Sequence, residues 1–223
     1  MRKGRNSMTG IMLKDFREAF CVKKNAIAWI FGVIMFLFFV IAMPIKYTYI
    51  LSVTVMCPLI GTSVLQYSNE QDEISKFDKI MLTYPITRKE IILSKYLSGL
   101  VLQAGIFLFT FALALVFSFG YKVIDFKMAM TFWFVGIIFS LLFMAINYII
   151  FFWLGNKKGM VIYIIVTVIW AFGYVITYRN VDLTGLLSMD RTVLMLLAFA
   201  FSVLALVGSY FASVKIYTKK HIK

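Results

Sequence analysis

Charge is scarce in this sequence, and acidic charge is scarcer still. Only 15% of the 223 residues are Asp, Glu, Lys or Arg, and ten acids stand against 23 bases; a soluble domain carries about 25% charged residues. Histidine occurs once, as His221, and there are two cysteines and three prolines. Cys21 lies before the first apolar run and Cys57 inside the second, so no disulfide framework is available and both are expected to be reduced. The cores of the apolar runs hold no Asp, Glu, His, Lys or Arg, and Lys95 lies at the edge of one. Proton relays, ion-coupled carriers, voltage sensors and intramembrane hydrolases all need such groups, so none of those chemistries is expected. A phosphate loop of the form G-x-x-x-x-G-K-[ST] is also missing. The nearest string, Gly155-Asn156-Lys157-Lys158-Gly159, reads as a tight turn between two spans. The chain is therefore expected to carry no catalytic residue, no metal and no cofactor of its own.

Apolar residues make up 62% of the chain and aromatics 17%. They gather in runs of about 20 residues, each long enough to cross a hydrocarbon core of about 30 Å. Reading for runs bounded by charge or turn residues predicts six spans, at 25–43, 47–67, 96–119, 128–154, 160–178 and 192–214. The expected fold is all-α: a polytopic membrane protein with a cytoplasmic segment at 1–24, a six-span domain over 25–214 with a loop at 68–95, and a basic tail at 215–223. The separation of the first two spans rests on Pro44 and Lys46. The first run passes into Met43-Pro44-Ile45-Lys46 without a small-residue cleavage site, so it is expected to remain as an anchor. Little chain is left for a second soluble domain, and any energy source is expected on another chain.

Six crossings put both termini on one side. That side then holds eighteen Lys and Arg, and the other holds five: Lys46, Lys122, Lys127, Arg179 and Arg191. The excess predicts cytoplasmic termini. The same reading accounts for the net charge of +13 without nucleic acid. Uncharged polar residues inside the spans, chiefly Gln66, Gln103 and Asn147, either line a path or hydrogen-bond between helices. In the last span Ala198, Ser202, Ala205, Ser209 and Ala212 form a narrow stripe, for packing within the chain or against a second copy.

The loop at 68–95 is the longest hydrophilic piece between spans. Ile74, Phe77 and Met81 follow helical spacing from Asp72 to Leu82, which predicts a short amphipathic helix. Pro85 breaks it, and Thr87-Arg88-Lys89-Glu90 predicts a capping box that starts a new helix running into the third span. Such a loop rests on headgroups or inserts its apolar face into a cytoplasmic partner. The acids Glu70, Asp72, Glu73 and Asp78 favour the partner, because an anionic leaflet disfavours carboxylates. Near the N-terminus, Met12, Leu13, Phe16, Ala19 and Phe20 share helical spacing, with Lys14, Arg17, Lys23 and Lys24 beside them and only Asp15 and Glu18 in opposition. This predicts an interfacial helix on anionic lipid.

Asn69-Glu70-Gln71-Asp72-Glu73, Lys76-Phe77-Asp78, the run from Leu82-Thr83-Tyr84-Pro85-Ile86-Thr87-Arg88-Lys89-Glu90-Ile91, and Ser94-Lys95-Tyr96 together resemble the signature of ABC-2 type transporter permeases. The opening Leu13-Lys14-Asp15-Phe16 is similar to the start of that family, and the pattern looks closest to the small permeases of bacterial phenol-soluble-modulin and antimicrobial-peptide exporters. The resemblance implies a permease of the bacterial plasma membrane, paired with a second permease and driven by a separate ATPase, usually in two copies, that holds the ATP and Mg. It implies that the helix around Asp72 to Leu82 is the coupling helix, with Glu70, Asp72, Glu73, Ile74, Phe77, Asp78, Met81, Pro85, Thr87 and Glu90 in the coupling region. It also implies that Leu13, Lys14, Phe16, Arg17 and Phe20 belong to a membrane-interface helix. Uncharged spans suit an amphipathic or antimicrobial peptide as cargo. The rival reading is a membrane immunity protein that sequesters such a peptide without moving it.

Overall fold

The computed structural model describes residues 2–81, 83, 86–180 and 191–220. Among these residues seven helices follow one another: α1 (Arg2–Phe20), α2 (Lys23–Ala42), α3 (Lys46–Ser75), α4 (Phe77–Met81), α5 (Arg88–Gly120), α6 (Phe126–Asn180) and α7 (Arg191–Lys220). No strand occurs among the described residues. Among the described residues five helices are long and apolar enough to cross a membrane, namely α2, α3, α5, α6 and α7.

The fourth of these is not a straight rod. Gly155 interrupts α6 at φ 76° and ψ −179°, a conformation open essentially to glycine alone. The two limbs fold back on each other: Phe143 meets Tyr163 and Trp170 with ring centroids 5.8 Å apart in each case, and Phe139 meets Trp170 at 5.0 Å. In a continuous helix, residues 143 and 170 would lie about 40 Å apart. The turn read from Gly155-Asn156-Lys157-Lys158-Gly159 is therefore present, though its flanking residues stay helical to the break.

The gap between α2 and α3 falls where Pro44 and Lys46 put it, with α2 ending at Ala42. Within α3 a second proline leaves a different mark. Pro58 has no N–H to give the Thr54 carbonyl one turn back. The helix widens into a π-turn at Ser52–Met56, in which the Cys57 N–H bonds to the Ser52 carbonyl. The Thr54 carbonyl receives the indole N–H of Trp170 at 3.4 Å. The Val53 carbonyl lies 2.8 Å from where a Cβ on Gly136 would sit, so α3 and α6 touch backbone to backbone there.

Two apolar cores fill the bundle. One lies near the α3–α5 connection and includes Leu65, Ile92, Tyr96, Met144, Tyr148 and Phe151. The other lies at the far end, around Tyr49, Val53, Phe117 and Ala129. On α7 the buried stripe is Ser202, Leu206, Ser209, Ser213 and Tyr217, with Ala205 and Ala212 half-buried beside it. The small-residue stripe thus packs within the chain. Ser209 donates to the Ala145 carbonyl at 2.7 Å, so Tyr96 is the donor in its 2.6 Å bond to Ser209 and accepts from Ser213 at 2.9 Å.

Candidate functional site: an ion hub beneath an elbow

At 1.5 Å per residue, α3 and α5 are each about 45 to 50 Å long, well beyond a hydrocarbon core of about 30 Å. Their excess lies side by side at the α3–α5 connection, and α1 packs against both. Lys95 on α5 donates to Asp72 on α3 at 2.7 Å and to Ser68 at 2.7 Å, and it lies 3.8 Å from Asp15 on α1. Ser68 donates to Asp15 at 2.6 Å. Lys14 on α1 takes the other Asp72 oxygen, pairs with Glu18 at 2.9 Å, and sits 4.4 Å above the Phe77 ring. Asp15, Asp72 and Lys95 are each 5% exposed or less. Removal of a charge from water costs several kcal/mol unless it is paired, and here every buried charge has an opposite neighbour. Three carboxylates face two ammonium groups. Burial pushes the Glu18 carboxyl above its ordinary range, against the pull of Lys14.

The acids read as an outward-facing cluster are thus mostly spent inside the molecule. Asp72 holds α1 and α5. Glu70 pairs with Lys24 at the start of α2. Glu73 is exposed and accepts the backbone N–H of Asn156 at 2.7 Å, which caps the second limb of α6. The partners come from residues far away in sequence, so spacing along the loop could not reveal them. One signal was available: Lys95 is the single charge in a long apolar stretch and needs a carboxylate.

The amphipathic helix expected from Asp72 to Leu82 is corrected in two ways. The second span runs on without a break through Asp72, Glu73 and Ile74 to Ser75. Lys76 then takes the left-handed conformation, φ 55° and ψ 28°, and only the short α4 follows. The result is an elbow, and its apolar residues do not share one face. Met81 is 2% exposed in the core and Phe77 packs against that core, whereas Ile74 at 69% and Ile80 at 46% point outward. Pro85 and the side chain of Asp78 lie outside the described residues. The capping box is formed: Glu90 N–H donates to Thr87 Oγ1 at 3.3 Å, and Thr87 N–H donates to Glu90 Oε2 at 2.8 Å.

On α1 the inward stripe is Ile11, Asp15 and Ala19, so of the apolar set expected to seek lipid Ala19 is buried in the protein instead, and Asp15 turns inward because it finds Ser68 and Lys95. Leu13, Arg17 and Phe20 are exposed, while Phe16 and Lys14 are half-buried. Of the three candidate path residues, two are packed away. Gln103 is 1% exposed, donates to Cys57 Sγ at 3.4 Å and lies over Gly61; Asn147 is fully buried and bonds to the Phe143 carbonyl at 2.7 Å. Gln66 alone lines a groove, a space of about 620 Å³ between α2, α3 and α5 walled by residues such as Trp29, Val33, Ser63, Tyr67 and Ile106.

The family described as ABC-2 family transporter protein matches residues 10–218, and the chain belongs to it. No curated protein and no solved structure matches the sequence. The protein is accordingly a permease subunit of an ABC transporter and a multi-pass protein of the plasma membrane, and membership implies association with an ABC ATPase and dimerisation.

Proposed function

We propose that this chain is the permease of a bacterial exporter that moves an amphipathic or antimicrobial peptide, with ATP and Mg on a separate ATPase, in two copies, that pushes on the α3–α4 elbow. The observation that carries the mechanical part is the elbow itself. Exposed Ile74 stands on the end of a span whose base is tied by ions to α1 and α5, and exposed Ile80 stands just past the bend at Lys76. A push on Ile74 reaches three helices through those ion pairs, and a push on Ile80 reaches them through the bend. The permease works with a second one, the same or related. Six crossings with both termini cytoplasmic follow if each limb of α6 crosses once, which the ring contacts between the limbs and the eighteen-to-five distribution of basic residues both support. Leu13, Arg17 and Phe20 then rest at the headgroups.

The groove beside α2 supports an amphipathic cargo. Its walls are mostly apolar, with Ser63, Gln66 and Tyr67 as polar points, and it holds no charged side chain. Deletion of the chain from its own cells, with export of added amphipathic peptides followed by mass spectrometry, tests the cargo. Retention of peptide in the deleted cells is expected, and equal efflux with and without the chain would refute it. Gentle detergent extraction tests the motor: an ATPase should co-purify, whereas peptide binding without any ATPase would favour the sequestering protein.

A further inference from the structure

We propose that Lys14 is a positioning residue that clasps both sides of the elbow and sets its angle. Its ammonium touches Asp72, four residues before the left-handed Lys76, and lies over the ring of Phe77, the residue just after it. One side chain on a third helix therefore spans the hinge.

The two lysines of the hub are not equivalent. Lys95 is sealed, with 4% of its side chain exposed, and all its partners lie on other helices, so it acts as a fixed bolt. Lys14 is a fifth exposed and has Glu18 at 2.9 Å and Asp15 at 3.7 Å on its own helix. It can let go of Asp72 and Phe77 and remain paired, so opening leaves no stranded charge on α1, and Lys95 stays to neutralise Asp72. The bent form also needs holding. A non-glycine residue in the left-handed region is disfavoured by the crowding of its Cβ against the following carbonyl, and Lys76 escapes that crowding when the bend relaxes. Space exists for the movement: a cleft of about 550 Å³ separates α1 from α4, lined by Gly10, Ile11, Lys14, Glu18, Phe77 and Met81 among others. The use of this clasp in transport rests on the permease reading, but its existence does not.

The test uses the full chain alone in lipid nanodiscs, so it requires neither ATPase nor cargo. Spin labels go on Leu13→Cys and Ile80→Cys, both exposed sites, in a Cys21→Ser background; Cys57 is buried. Electron-spin distance measurement should give one main distance. Lys14→Met should add a longer one and raise its population about tenfold, within the usual range of conformational coupling, and Lys14→Arg should restore the parent distribution. Glu18→Gln removes the competing partner and should move the distribution the opposite way, towards the short distance. Phe77→Leu offers a milder loss of the clasp that keeps the core filled, and it should shift the distance in the direction of Lys14→Met. An unchanged distribution for both Lys14→Met and Phe77→Leu would overturn the clasp, as would Glu18→Gln shifting the same way as Lys14→Met. Transport that fails while these shifts appear would count against the permease reading and leave the clasp standing.

Discussion

Lys95 shows what a single residue can reveal and conceal. In the sequence it is a charge at the margin of an apolar run; in the structure it is the bolt of the hub, bonded to Ser68 and Asp72. Removal of one partner of a buried pair costs about 3 to 5 kcal/mol because the other charge is stranded. Lys95→Met should therefore lower the thermal midpoint of the detergent-purified chain sharply. Asp72→Asn added to Lys95→Met should recover part of that loss, and a double variant less stable than the sum of the singles would contradict the pairing. Glycines supply a second test. A Cβ on Gly61 meets the far end of the flexible Gln103 side chain, whereas a Cβ on Gly136 meets the backbone of Val53, which cannot step aside. Gly136→Ala should destabilise by about 1 to 3 kcal/mol, and Gly61→Ala by less, when thermal midpoints are compared. Neither contact was legible in the sequence, since both join residues more than forty positions apart.

At the level of elements, what the sequence announced were local chemical events. Pro44 ended α2, and Thr87 and Glu90 started α5, because each acts through neighbours within four residues. The end of α3 was not legible: the hydrophilic composition from Asn69 onward suggested a loop, but the pairing of Glu70, Asp72 and Glu73 with distant groups carries the helix to Ser75. The apolar spacing of Ile74, Phe77 and Met81 was real in the sequence, and the left-handed Lys76 rotates its members to different surroundings. This changes which substitutions report on coupling. Ile74→Asp and Ile80→Asp alter exposed side chains, so they should reduce co-purification of the ATPase while membrane insertion and yield stay unchanged. Phe77→Asp would also insert a carboxylate under Lys14 and against the core, so its effect should appear in stability as well as assembly. Thr87→Ala removes the cap and should cost about 1 kcal/mol, read as a small drop in thermal midpoint.

Across the whole molecule, composition and charge distribution carried the membrane class, and the residue strings carried the family. The folding back of α6 depends on a single position. Gly155→Val should prevent the antiparallel contact, and a short bifunctional thiol crosslinker should join cysteines placed at Phe139 and Trp170, whose rings meet at 5.0 Å, in the parent background and fail to join them in that variant. A protease applied to sealed cells should leave tags at both ends intact; cleavage of either tag would exclude six crossings with cytoplasmic termini. The crossing of Val53 and Gly136 has a geometric consequence for all of this. It sits about 10 Å from the start of α3 and about 33 Å from the elbow. A stiff rod turning on that fulcrum has arms in a ratio of roughly one to three, so an excursion at the long arm returns a third of the travel at the other tip with about three times the force. Such gearing favours prying a tight seam apart by a small amount over swinging a wide gate.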